Sequence, residues 1–179
     1  MTTPDDLTQV DLVIARARKA QLAFEAHGSQ ARYDQAAQAV GWAIMEPARN
    51  RSLAKLSVQT TGLGNVADKI TKNHRKTLGL LRDIADAKTF GVVLDDASTG
   101  ITEIARPIGV VGAVVPSTNP AATPANNIIN ALKGGNAIVL SPSPKGIPAC
   151  ALLLGYIYDE FDKLGLDHDL VQMVPAPGS

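Results

Sequence analysis

Ala105 to Lys145 read ARPIGVVGAVVPSTNPAATPANNIINALKGGNAIVLSPSPK, and this stretch decides the fold. An uninterrupted apolar run, Ile108 to Val115, stops at Pro116. A polar loop and a segment with helical spacing follow, then a second apolar run, Ala137 to Leu140, before Pro142. Short apolar runs bounded by breakers are the pattern of strands buried on both faces of a parallel sheet. The segment between them is long enough for the crossover helix that parallel pairing requires. That helix is predicted from Thr123-Pro124 to Gly134-Gly135. A second helix, from near Pro148 to Gly165, leads to a third strand over Leu170–Val174. Strands joined in this way point in one direction and carry their carboxyl ends on one rim, where ligands of open α/β sheets gather. Pro116–Pro120 and Ser141–Lys145 are therefore expected side by side. The predicted class is α/β, with a Rossmann-like parallel βαβαβ unit that forms an incomplete doubly wound sheet.

Working outward, Phe90–Leu94 and Ile101–Ala105 flank Asp-Asp-Ala-Ser-Thr-Gly and read as a β-hairpin. Four helices precede it. The first starts at Thr3-Pro4 with acidic residues in its opening turn and runs to Gly28, with Leu7, Val10, Ile14, Ala17 and Leu22 as its apolar face. Ser29 caps the second, which carries Tyr33, Ala36, Ala37, Val40 and Ile44 and ends near Pro47. The third spans about Ala48 to Thr60 and breaks at Gly62, and the fourth is capped by Asn65 and reaches about Asp86. The expected organisation is a helical segment over 1–88, a hairpin element over 89–106 and a partial dinucleotide-binding domain over 107–179.

With 17 basic and 17 acidic residues among 179, the formal net charge is zero, which argues against a nucleic-acid or anionic-membrane partner. No stretch reaches the roughly 18 uncharged apolar residues of a membrane span. A single cysteine excludes an internal disulfide, and a cytoplasmic protein is expected. The chain has no glycine-rich dinucleotide fingerprint after any predicted strand, no phosphate-binding Walker loop, and no cysteine or histidine pairs at metal spacing.

Asn119 lies just beyond a strand end, between Pro116 and Pro120. Its primary amide can donate to an oxygen that gains negative charge, or it can bond its own turn, and pattern alone leaves both open. Cys150 shares a helical face with Leu153, Leu154, Ile157, Phe161 and Leu164 and reads as core. Lys145 reads either as solvated or as a contact for a phosphate or ribose. His27, His74 and His168 read as surface residues, the run from Lys69 to Lys76 as a solvated helix face, and Trp42 and Phe24 as helix packing.

Three blocks resemble the aldehyde dehydrogenase superfamily, most closely its coenzyme A-acylating branch. These are Thr61-Gly62-Leu63-Gly64 with Asp68-Lys69 and Lys72-Asn73, then Pro107 to Val111 with Pro116 and Thr118-Asn119-Pro120, then Gly135 to Val139 with Ser141-Pro142. The resemblance covers nearly the whole chain. It implies oxidation of a small aldehyde, such as sulfoacetaldehyde, acetaldehyde, propionaldehyde or succinate semialdehyde, to its acyl-CoA with NAD or NADP. In that reaction a cysteine thiolate adds to the aldehyde, Asn119 and a backbone N–H hold the resulting oxyanion, and coenzyme A takes the acyl group. It also implies cofactor contacts at Pro116, Ser117, Thr118, Ser141, Pro142, Ser143, Lys145, Pro177 and Gly178, and a homo-oligomer joined through the hairpin. The lysine and glutamate that ordinary family members use for the adenosine ribose are replaced by Ser141 and Pro144, so NAD and NADP both stay open. The family's nucleophilic cysteine would lie beyond Ser179. The chain is therefore expected to be an N-terminal portion, inactive alone and prone to self-association through an unpartnered third strand. The alternative is a non-catalytic α/β module that binds a nucleotide or a partner.

Overall fold

Three of the N-terminal helices begin where a side chain answers free backbone N–H groups. In a computed structural model that describes residues 4–175, α1 (Pro4–Ala26) leads into α2 (Gln30–Met45), where Ser29 accepts a hydrogen bond from the Arg32 N–H. The Glu46 carboxylate takes the N–H groups of Ala48 and Arg49, so α3 (Pro47–Thr61) starts with proline at its first position and ends at Gly62, which is left-handed at φ 70°. Asn65 accepts from the Asp68 N–H and opens α4 (Val66–Asp83). Thr3, the expected cap of α1, lies outside the described residues.

The hairpin pairs β1 (Gly91–Asp96) with β2 (Ile101–Ala105) antiparallel, with an irregularity between Val92 and Leu94. At its turn the Asp96 carboxylate accepts from the Ser98 N–H and from the hydroxyls of Ser98 and Thr99. These bonds lower its pKa to about 2.

The sheet follows: β3 (Val110–Val115), α5 (Ala122–Lys133), β4 (Ala137–Pro142), α6 (Ile147–Leu164) and β5 (Val171–Met173), in strand order β3-β4-β5, all parallel. Successive residues Ala137 to Leu140 are all buried, so β4 is covered on both faces. Helix α1 lies along all three strands; α5 packs on β3 and β4, α6 on β5, and α2 crosses both α5 and α6. One core runs from Val13 in α1 through Tyr33, Ile44 and Ile128 to Val171 in β5.

Several expectations need correction. Helix α1 buries Val13, Ala17, Ala20 and Phe24; of the predicted face Ala17 is buried and Val10 partly so, Ile14 and Leu22 are exposed, and the Leu7 side chain lies outside those described. Trp42 is half-exposed rather than packed. Ile108 precedes the strand and is 88% exposed, because Gly109 takes φ 123° and the ladder starts only at Val110. Nor is β3 buried on both faces: it pairs only with β4 among the described residues, and Val114 is 82% exposed. Both outer strands are edges among the described residues, since β5 like β3 pairs only with β4, so the third strand is unpartnered on its outer side as expected, and the exposed apolar surface lies on β3. By contrast, Val171 and Gln172 of β5 are buried under α1, with the Gln172 amide donating to the Val13 carbonyl and accepting from Arg16.

At the opposite end of the sheet from the rim, the turn before β4 is tightly built. Asn136 Oδ1 accepts from the N–H groups of Ile108 and Gly109 and fixes the entry to β3. Gly135 sits at φ 74°, and a Cβ there would come within 2.6 Å of the Tyr33 ring. Glycine is required on both counts.

Candidate functional site

The ladder between β3 and β4 ends with Val115 opposite Pro142, so the two following loops leave the sheet together. Their contact is direct. Ser117 Oγ donates to Ser143 Oγ at 2.9 Å, and the Ser143 N–H donates to the Val115 carbonyl. Gly146 is buried close enough to Pro120 that an added Cβ would lie 3.1 Å from the proline Cβ. Pro116, Ser117, Thr118, Asn119, Ser141, Pro142, Ser143 and Lys145 thus share one rim, as the strand pattern predicted. Pro177 and Gly178 lie outside the described residues.

Around Asn119 the loop is held from two sides. Its backbone carbonyl accepts from the Thr123 N–H at 3.3 Å, which ties it to the first turn of α5. Its side chain does not bond its own turn. Instead, Oδ1 accepts from Lys72 Nζ of α4 at 3.1 Å. Among the described residues Nδ2 has no acceptor, so this half-buried amide presents a free NH2 group. One turn earlier on α4, Lys69 is only 5% exposed, and its ammonium donates to the Thr118 carbonyl at 2.6 Å. Burial lowers the Lys69 pKa, and the positive charge of Lys72 lowers it further.

Sequence reasoning missed this part of the site. The run from Lys69 to Lys76 is not one solvated face, because Lys69, Asn73 and Thr77 form a buried stripe. Asn73 donates to Asn50 Oδ1 at 2.9 Å, and Asn50 donates to the Ile70 carbonyl at 3.0 Å, which seats α4 on α3. The signal was available, since positions 69, 73 and 77 recur every four residues. It was carried by polar side chains, which a search for apolar periodicity does not see.

The rim's available donors are the hydroxyls of Thr118, Ser141 and Ser143, the last accepting from Ser117, and the ammonium of Lys145, which is exposed and makes no side-chain bond among the described residues. Neither loop carries a carboxylate. The start of α5 has no side-chain cap, and its Thr123 N–H is taken by the Asn119 carbonyl of the same rim. Such a set suits the ribose and phosphate oxygens of a nucleotide. It also offers no acidic residue that would favour a free ribose hydroxyl over a phosphate.

Cys150 is fully buried on α6, and burial raises its thiol pKa to about 12. Thiolate chemistry is closed to it. His168 bonds Asp162 at 2.8 Å and stacks on Tyr158 at the surface, far along the chain from the rim loops.

Comparison with known proteins gives a consistent result. The model for the aldehyde dehydrogenase family matches residues 3–179. An acylating sulfoacetaldehyde dehydrogenase from Cupriavidus necator is 65% identical over 170 residues, which is 95% of this chain and 34% of that protein. Among solved structures, an acetylating aldehyde dehydrogenase from Geobacillus thermoglucosidasius superposes with a TM-score of 0.87 at 31% identity, over 96% of this chain and 38% of that one. A propionaldehyde dehydrogenase from Rhodopseudomonas palustris with bound CoA gives a TM-score of 0.77 at 27% identity, over 94% and 37% of the two chains. The chain spans about a third of the length of the curated relatives it matches.

Proposed function

The chain belongs to the aldehyde dehydrogenase family, and on that premise we propose that it forms the oxyanion-holding and cofactor-binding part of a CoA-acylating aldehyde dehydrogenase. The net reaction is aldehyde plus coenzyme A plus NAD(P)+ to acyl-CoA plus NAD(P)H and a proton. Sulfoacetaldehyde is the favoured aldehyde, on the likeness to the Cupriavidus necator enzyme.

One observation carries this reading: among the described residues the NH2 group of Asn119 has no acceptor, on a stiff loop at the carboxyl end of a parallel strand, with its oxygen already engaged. When a thiolate adds to the aldehyde, the carbonyl oxygen becomes an oxyanion. A donor fixed beforehand costs no reorganisation at that moment. Thr118, Ser141, Ser143 and Lys145 would hold the nucleotide's ribose and phosphates, with Ser117 fixing Ser143 and Pro116 and Pro142 shaping the groove. The nicotinamide cofactor, when bound, accepts hydride from the substrate carbon. Either NAD or NADP is compatible with a rim that lacks a carboxylate. Cys150 is sealed in the core with its thiol pushed up to about 12, which argues against it as the nucleophile and supports the reading that these 179 residues do not turn over aldehyde by themselves. We place the activity in the cytoplasm and the chain in a homo-oligomer, consistent with the exposed apolar residues of the hairpin and the open edge of β3. Among the described residues no helix is long and apolar enough to cross a membrane.

The test is a chimera in which this chain replaces the matching stretch of the Cupriavidus necator enzyme. With sulfoacetaldehyde it should reduce NAD(P)+ only when coenzyme A is present, and form sulfoacetyl-CoA. Asn119→Ala should lower kcat about a hundred- to thousandfold. Sulfoacetate formation indifferent to coenzyme A, a folded chimera that produces no NAD(P)H, or an undiminished kcat in Asn119→Ala would each overturn the reading.

A further inference from the structure

A primary amide has two faces of nearly equal shape and opposite chemistry. Its NH2 stabilises an oxyanion, and its C=O repels one. Nothing in the Asn119 loop itself decides which is presented, because its side chain bonds neither its own turn nor the neighbouring Ser143 loop. The decision comes from another element. A lysine ammonium carries only donors, so Lys72 at 3.1 Å must be facing the amide oxygen. Since oxygen and nitrogen branch from the same planar carbon, the NH2 is then turned away from α4.

We propose that Lys72 is a positioning residue that sets the orientation of the Asn119 amide and polarises it toward donation. Lys69 is its backbone counterpart. Lying three residues earlier and buried, it pins the Thr118 carbonyl immediately before Asn119 at 2.6 Å. Helix α4 therefore grips the loop at two consecutive residues, one through the main chain and one through the side chain. The Lys72 bond is charge-assisted, so it draws electron density from the amide and makes the NH2 a stronger donor. Without it the amide can rotate half a turn about its terminal torsion and oppose the developing charge. The inference rests on the reading of Asn119 as an oxyanion donor.

Two measurements decide it. In the 15N-labelled 179-residue chain, the Asn119 side-chain NH2 resonance is assigned by its loss in Asn119→Ala. Lys72→Met should shift and broaden it, whereas Lys72→Arg, which keeps a charged donor, should leave it close to the parent position. A resonance unmoved by Lys72→Met overturns the proposal. In the chimera with the Cupriavidus necator enzyme, Lys72→Met should lower kcat about tenfold with KM for the aldehyde within about twofold of the parent. This is the signature of an interaction made only in the transition state. Lys72→Arg should recover most of the loss, and the Asn119→Ala Lys72→Met double variant should be no slower than Asn119→Ala alone. An unaffected kcat in Lys72→Met, or independent losses that multiply in the double variant, sinks this inference and leaves the Asn119 reading standing. An unaffected Asn119→Ala sinks the reading on which both depend.

Discussion

Asn119 and Cys150 show how little residue type says without its surroundings. The chain's one thiol is the reactive-looking group, yet it is sealed on the buried face of α6 with a pKa raised to about 12. Native protein should resist iodoacetamide at mildly alkaline pH and be labelled stoichiometrically once unfolded in urea; rapid native labelling would contradict its burial. Glu160 is the buried carboxylate to test. Burial pushes its pKa up, but hydrogen bonds from Lys163 at 2.7 Å and Arg49 at 2.6 Å outweigh that and hold it below the ordinary value of 4.5. Because the folded pKa is the lower one, this contribution is complete above the ordinary carboxylate range and is lost as pH falls below about 4.5. Glu160→Gln should cost about 2 kcal/mol at neutral pH in urea unfolding and lose less relative to the parent in acid. A penalty independent of pH would mean the effect is packing alone.

At the level of elements, the turn between α5 and β4 and the seat of α4 carry the argument. Gly135→Ala meets both a left-handed backbone and the Tyr33 ring, so it should destabilise the fold by about 2–4 kcal/mol by thermal or chemical unfolding. A change under about 1 kcal/mol would show that Tyr33 yields easily. Helix α4 is where sequence reading and structure part most clearly. Lys69, Asn73 and Thr77 are polar, so they read as solvated, yet Lys69 and Asn73 are buried because partners on other elements satisfy them. Most helix caps were legible, because Ser29, Asn65, Gly62 and Gly165 act through local geometry. The face of α1 was not, because Ile14 and Leu22 repeat at helical spacing just as Val13, Ala17 and Phe24 do. Only contact with the sheet separates the two sets.

For the whole molecule, the unpaired edge of β3 and the exposed Phe90, Val92, Leu94, Ile101 and Ile104 on and beside the hairpin leave apolar surface in contact with water. The 179-residue chain should sediment as an oligomer at micromolar concentration, and Val114→Lys should weaken that association. A monodisperse monomer would refute the proposal. Much of this protein was determined by sequence alone. Proline-stopped apolar runs and an intervening helix dictate parallel strands, and parallel strands put residues 116–120 beside 141–145, since strand direction and connection length leave no other arrangement. Tertiary structure alone decided which branch of the Asn119 amide faces outward and that Lys69 and Lys72 of a distant helix hold its loop. Each of these depends on groups far apart in the chain being brought within hydrogen-bonding distance, and no local pattern encodes that distance.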